Sequence, residues 1–485
     1  MDKITHKQPH WAVSLIPFVV LLITLVLVIK VFGADALSGS SQVSLLFAAG
    51  VTIAVSMLFY KVSWEAFEIS IVDNIKSVAT AILILLLIGA VAGSWMVSGV
   101  VPTMIYYGMK AIMPSIFLFA TCAICALVSV MTGSSWTTIA TIGVALVGIG
   151  TAQGYDPGWT AGAIISGAYF GDKISPLSDT TVLASSSAGT PLFTHIRYMM
   201  ITTVPSFVIS LIVFLVVSIL HDPSESGMAA GFSDGLSGTF NISPWLFVVP
   251  VLTGVLIIKK VPAIITLFCA SVMAGIAALI FQPQIIAEVA SGSSTACDSL
   301  SFMEGFKGIF RSYYGSTAID TGNAELNELI STRGMTGMLD TIFLIISAVT
   351  FGGTLVGSGM LQSLTSALVR LVRRCVTMVA STVGTGIFVN MITGDQYLSI
   401  ILTSSLYRKL YEEKGYEARL LSRSVEDSAT VVSVLIPWNS CGMTQATVLK
   451  VSTLHYLPYC LFNIISPLMS IFIAAIGYKI VRKSK

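Results

Sequence analysis

Residues 167–181, GAYFGDKISPLSDTT, and 422–442, SRSVEDSATVVSVLIPWNSCG, set charged side chains inside otherwise apolar sequence. In the first stretch Asp172 and Asp179 bring carboxylates, Ser175 and Ser178 bring neutral oxygens, and Pro176 removes a backbone donor in mid-segment. In the second, Glu426 and Asp427 are the acids, Pro437 is the break, and Asn439 and Ser440 are neutral ligands. Carboxylate, hydroxyl and freed carbonyl oxygens around a broken backbone form a ligand set for a small hard cation. Two further stretches, MTGSSW (131–136) and MITGDQY (391–397), add oxygens from Thr132, Ser134, Ser135, Thr393 and Asp395 around a glycine that permits tight reversal. A charge near the bilayer centre costs roughly 2.5–3.5 kcal/mol on insertion scales, so such residues are kept where they act. If two or more of Asp172, Asp179, Asp395 and Asp427 converge, crowding and desolvation let protons compete with a cation for one carboxylate.

Structural roles compete with these. Lys173 can neutralise Asp172 as a buried ion pair, and Asp179 and Asp395 can cap helices. Glu426 and Asp427 follow a basic stretch and can form a solvated helix start. Trp136, Tyr397 and Trp438 read first as packing or interface aromatics, and His195, His221 and His455 as surface residues at segment ends.

The elements that position these residues are membrane helices. Of the 485 residues 55% are hydrophobic and 10% charged, against about 25% charged in soluble domains. Fourteen apolar stretches between residues 11 and 478 are candidates to cross or enter a bilayer, starting with an uncleaved helix over 11–32. A net charge of +2 gives no reason to invoke nucleic acid. The seven cysteines imply no disulfide framework, and the Cys122/Cys125 pair lacks the further ligands of a metal site.

With the N-terminus inside, nineteen Lys and Arg fall on the cytoplasmic side and four outside, which predicts both termini in the cytoplasm. The polar insertions near 221–243 and 282–338 then lie outside. Residues 93–99 resemble 353–359 at an offset of 260, Thr132-Gly133 matches Thr393-Gly394 at 261, and Asp172 is paired with Asp427 at 255. Segments holding these two aspartates run in opposite directions across the membrane, so the fold expected is all-α and polytopic, with two inverted repeats, broken helices and, over 114–152 and 376–409, pairs that start and finish on one side, either as two spans or as re-entrant hairpins. Its parts are membrane helices over 1–64, a first repeat over 65–220, linking helices with outer loops over 221–338, and a second repeat over 339–485. Such repeats favour a carrier over a channel. An intramembrane aspartyl protease is disfavoured, because the sequences before Asp172 and Asp395 lack the first glycine of a GxGD arrangement.

GAYFGDKISPLSDTTVLASSSAGTPLFTHIRYM resembles the signature stretch of NhaC-type sodium/proton antiporters, and TGDQYLSIIL with LSRSVEDSATVVSVLIPWNSCG resembles the family's second conserved region. The resemblance spans roughly residues 70–470. It implies a secondary transporter of a bacterial cytoplasmic membrane, not an enzyme, that exports sodium in exchange for protons without a cofactor. It places Asp172, Ser175, Ser178 and Asp179 on the first broken segment, and Asp395, Glu426, Asp427 and Asn439 in the second half. Some relatives of this kind couple malate, lactate or amino acids instead, for which Lys173, the serine-rich tips and broken-helix N-termini would meet a carboxylate. After Asp179 this chain reads Thr180-Thr181-Val182-Leu183-Ala184-Ser185 where many relatives continue with a more polar run such as TTNLAP, so substrate-contacting positions differ. A homodimer is compatible with the sequence.

Overall fold

The computed structural model describes residues 9–32, 39–221, 227–259, 261–292, 300–369 and 374–480. Eight of the nineteen inner basic residues of the charge count, Lys3, Lys7, Lys260, Arg370, Arg373, Arg482, Lys483 and Lys485, lie outside them. Among the described residues there is no strand, only an isolated bridge between Thr317 and Thr332. Nine helices among the described residues are long and apolar enough to cross a membrane, or up to eleven if each of two bent pairs is one span. The protein is an all-α polytopic membrane protein.

The first half runs α1 (Trp11–Phe32), α2 (Ser40–Tyr60), α3 (Trp64–Val97), α4 (Val100–Ala111), α5 (Phe117–Thr132), α6 (Ser135–Ala152), α7 (Pro157–Ile174), α8 (Asp179–Ala188) and α9 (Leu192–Leu220). The insertion over 221–243 holds α10 (Gly227–Thr239); α11 (Val248–Ile258) and the candidate span α12 (Ala263–Phe281) follow, and the insertion over 282–338 holds α13 (Pro283–Ser291), α14 (Phe302–Tyr314) and α15 (Ala324–Ile330). The second half runs α16 (Leu339–Gly357), α17 (Met360–Val369), α18 (Cys375–Thr393), α19 (Gln396–Glu413), α20 (Ala418–Val425), α21 (Ser440–Leu449), α22 (Thr453–Tyr456) and α23 (Leu461–Ala475). Between α20 and α21 the chain winds through a π turn over Glu426–Thr430 and a 3-10 turn over Ser433–Leu435.

Small residues let these helices meet closely, as expected where lipid supplies no hydrophobic drive between helices. A Cβ on Gly167 would sit 2.1 Å from the Cys122 carbonyl oxygen, and one on Gly171 2.3 Å from that of Ala126, so α5 and α7 pack backbone to backbone. Cys122 and Cys125 are buried packing residues of this contact. Gly353 likewise brings α16 onto Ile71 of α3.

The halves correspond at a constant offset of 261. The span of α7, 157–174, maps onto 418–435, the stretch from α20 through both tight turns, and α8 maps onto α21. Gly133 and Gly394 both reverse the chain in the left-handed region, with φ of 66° and 64°. Ser178 and Asn439 cap α8 and α21, and Gly189 and Lys450 end them in left-handed conformation. Even long-range contacts repeat: Ser129 Oγ donates to the Ala168 carbonyl (2.6 Å), and Asn390 Nδ2 donates to that of Ala429 (2.5 Å). This register corrects one pairing made from sequence. Asp172 corresponds to Ser433, and Asp427 corresponds to Ser166.

Candidate functional site

The chain must break after α7 because Pro176 cannot donate a backbone hydrogen bond and disfavours helical geometry at Ser175, which sits at ψ 130°. Ser175 Oγ instead donates to the Val130 carbonyl (2.8 Å), fastening the break to the end of α5. The α5–α6 reversal at Gly133 is pressed against the same break: a Cβ there would lie 2.6 Å from Leu177 Cβ. Near their other ends α5 and α6 are also tied together, by Gln153 Nε2 donating to Ile112 (2.8 Å) and Tyr155 Oη to Pro114 (2.7 Å).

Tip and break together hold Asp172. Its Oδ2 accepts from the backbone N–H (3.1 Å) and the hydroxyl (2.7 Å) of Ser135, so the carboxylate caps the first turn of α6. Asp172 and exposed Asp179 line one cavity of about 690 Å³, joined by Thr132, Ser134, Ser178 and Thr180. Ser178 and Thr180 share a hydrogen bond (3.0 Å). Trp136, Gln396 and Tyr397 form further wall, and Tyr397 stands close to both carboxylates. Thr80 and Ile84 of α3 and Ile257 to Thr266 around the α11–α12 turn border the rest. Among the described residues the lining holds two carboxylates and several hydroxyls but no lysine, arginine or histidine. It can receive a cation, and no group of three or more His, Cys, Asp or Glu among the described residues forms a conventional metal centre.

The other acidic residues lie outside this cavity. Lys173, fully buried, pairs with Asp427 rather than Asp172. Thr202 donates to both Asp427 oxygens (3.2 and 2.9 Å), and Ser466 bonds to both partners of the pair (3.0 and 3.1 Å). Glu426 is fully buried; Thr180 Oγ1 approaches its Oε1 at 3.4 Å, and its Oε2 forms no well-made protein bond although Thr430 is beside it. A solvated helix start is therefore wrong for Glu426 and Asp427. Asp395 caps α19 through the Leu398 N–H (2.9 Å), and Thr393 Oγ1 bonds back into its own turn. Asn439 caps α21 and donates to Asn390 Oδ1 (3.1 Å).

Of the residues singled out from sequence, the structure thus gathers Thr132, Ser134, Ser135, Asp172, Ser178 and Asp179 around one cavity. It keeps Ser175, Thr393, Asp395 and Asn439 in local backbone roles, and Lys173, Glu426 and Asp427 in the core. Trp136 and Tyr397, read as packing aromatics, face the site. His195 is buried against Ser422 (2.8 Å) rather than at the surface. Thr180, Gln396, Thr202 and Ser466 were missed; the 261 offset would have found Gln396, which is the image of Ser135.

Comparison with known proteins extends this picture over nearly the whole chain. The profile of the Na+/H+ antiporter family matches residues 7–190 and 167–478. A Na(+)/H(+) antiporter NhaC of Bacillus subtilis is 35% identical over 88% of this chain and 91% of its own length. A malate-2H(+)/Na(+)-lactate antiporter of the same organism is 36% identical over 82% of this chain and 81% of its own. The arginine/ornithine antiporter ArcD of Halobacterium salinarum is 32% identical over 99% and 94%.

Proposed function

The chain belongs to the Na+/H+ antiporter family, and we propose that it is a secondary active transporter that moves sodium out of the cell against an inward flow of protons. The observation that carries this reading is Asp172: a carboxylate at a broken helix, hydrogen-bonded by Ser135, on the wall of a cavity lined by a second carboxylate and hydroxyls. Sodium would bind the Asp172 carboxylate with oxygens from Thr132, Ser134, Ser178 and Asp179. Protonation of the same carboxylate removes its charge and releases the ion. Only the sodium-loaded and the protonated forms change access, so one exchanges for the other.

The matched halves support an inverted repeat, with 65–220 and 339–485 rocking about the site, tips 114–152 and 376–409 as re-entrant hairpins, and both termini inside. The cavity wall includes Thr80, Ile257 and Val261, close in sequence to Lys76 and Lys259, which the basic-residue count places in the cytoplasm. That geometry corresponds to the inward-facing state.

A second reading, exchange of an organic solute, is favoured by the cavity volume of about 690 Å³, well beyond one dehydrated ion. The relatives named for malate, lactate, arginine and ornithine motivate it. Lys173 is held by Asp427 and so is not free to pair with an organic acid, whereas a cationic amino acid would meet Asp172 and Asp179. Proteoliposomes with an internal pH dye separate the readings. Dequenching on addition of sodium or lithium alone supports sodium/proton exchange, and a response only when malate, lactate or an amino acid is present supports the second reading.

A further inference from the structure

The inference here rests on the antiporter reading and on the inverted relation of the halves. The carboxylates of the cavity wall and most of its hydroxyls belong to the first half: Thr132, Ser134, Asp172, Ser178, Asp179 and Thr180 line it. Adding 261 to each number gives Thr393, Asp395, Ser433, Asn439, Ser440 and Cys441. All six images are at most 2% exposed. What fills the space differs between the halves. Next to the first tip, Thr80 and Ile84 of α3 stand back as cavity wall. Next to the second, α16 is pressed onto the tip: a Cβ on Gly352 would lie 2.9 Å from Thr393 Cα, and one on Gly394 2.7 Å from Ala348 Cβ.

The sealed side carries polar groups in poor hydrogen-bonding positions. The Tyr169 hydroxyl lies against Cys441 and Ser433, and the Trp136 indole N–H lies near Cys441, with no well-formed bond in either case. One turn along α21 from Cys441, both amide atoms of Gln445 are buried without a partner. Leaving buried polar atoms unmatched costs roughly 1–3 kcal/mol each, so such a stripe suits a surface that is wetted in another state. The stripe points outward, because α21 ends at Lys450, whose ammonium is held by the carbonyls of Glu328, Leu329 and Ser331 in the outer insertion.

We propose that the outward-facing state opens a second cavity, the image of the first, between α16 and the α18–α19 tip, with Ser433, Asn439, Ser440 and Cys441 on its wall. Asp172 then reaches the outside past Trp136 and Gln396, whose side chains bound the inner cavity in this state. Gln396 Oε1 already accepts from Ser433 Oγ (3.4 Å), linking the two compartments.

Cys441 makes the proposal testable with the natural thiol. Right-side-out and inside-out membrane vesicles containing the full chain are treated with a membrane-impermeant maleimide during sodium-driven turnover, and modification is read peptide by peptide by mass spectrometry. The expected result is Cys441 modified from the outside at least tenfold faster than from the inside, with slowing by external sodium. Thr180→Cys, its image, should show the opposite sidedness, and Ser440→Cys should follow Cys441. Modification of Cys441 from neither side, or from the inside only, in vesicles that carry out sodium flux would overturn the second cavity. Absence of sodium flux by the unmodified protein would overturn the antiporter reading, and this inference with it.

Discussion

Replacing Lys173 by Met should destabilise the protein. The substitution leaves Asp427 fully buried with only the Thr202 and Ser466 hydroxyls as partners. Breaking a buried ion pair from one side costs about 3–5 kcal/mol, because an uncompensated charge remains. Removing both charges in Lys173→Met/Asp427→Leu should recover most of the loss, since paired replacement by apolar residues is often neutral. Thermal unfolding followed by fluorescence-detected size exclusion at pH 7 measures all three proteins. A single variant as stable as the parent at pH 7, or a double variant no better than the single, would refute a structural ion pair. Because the pair lies outside the cavity, the double variant should also keep exchange within about threefold. A folded double variant without exchange would put Asp427 in the ion path.

Three further outcomes follow from the same geometry. Gly133→Ala imposes a left-handed φ on a residue with a Cβ, about 1–2 kcal/mol, and drives that atom into Leu177; transport should fall more than expression, measured by flux per folded molecule. Competition at one carboxylate predicts that acidification raises the apparent sodium KM, by a factor that approaches about tenfold per pH unit once the carboxylate is mostly protonated, while leaving the maximal rate little changed; pH-clamped proteoliposome kinetics check this. Lys450→Ala removes the ammonium that gathers the carbonyls at the end of α15, so a protease added from outside should cut near residues 324–331 faster than in the parent.

Much of the architecture was legible because a bilayer imposes coarse rules. Apolar length gave the spans, and Pro176, Pro437, Gly133 and Gly394 marked the breaks and reversals where the structure has them. The repeat register was harder. Matching residue types paired Asp172 with Asp427, whereas the backbone pairs Asp172 with Ser433, because the halves share geometry but not charge. The partner of Lys173 was likewise out of reach: its neighbour Asp172 was the local choice, and the actual partner is 254 residues away. Capping by Asp395 was readable, since an aspartate after a Thr-Gly reversal has a local backbone donor to satisfy. The burial of Glu426 was not, because a basic run upstream looks the same whether the next turn enters solvent or core. Trp136 and Tyr397 became site residues only when tip and break were brought together.

The most direct test of the central claim is proton release on sodium binding, measured by a pH indicator in a weakly buffered solution of the purified protein. If sodium and protons compete for Asp172, adding sodium chloride should release protons from the parent in a saturable way, while Asp172→Asn, folded as judged by size exclusion, should release none. Proton release by Asp172→Asn equal to that of the parent would contradict the claim.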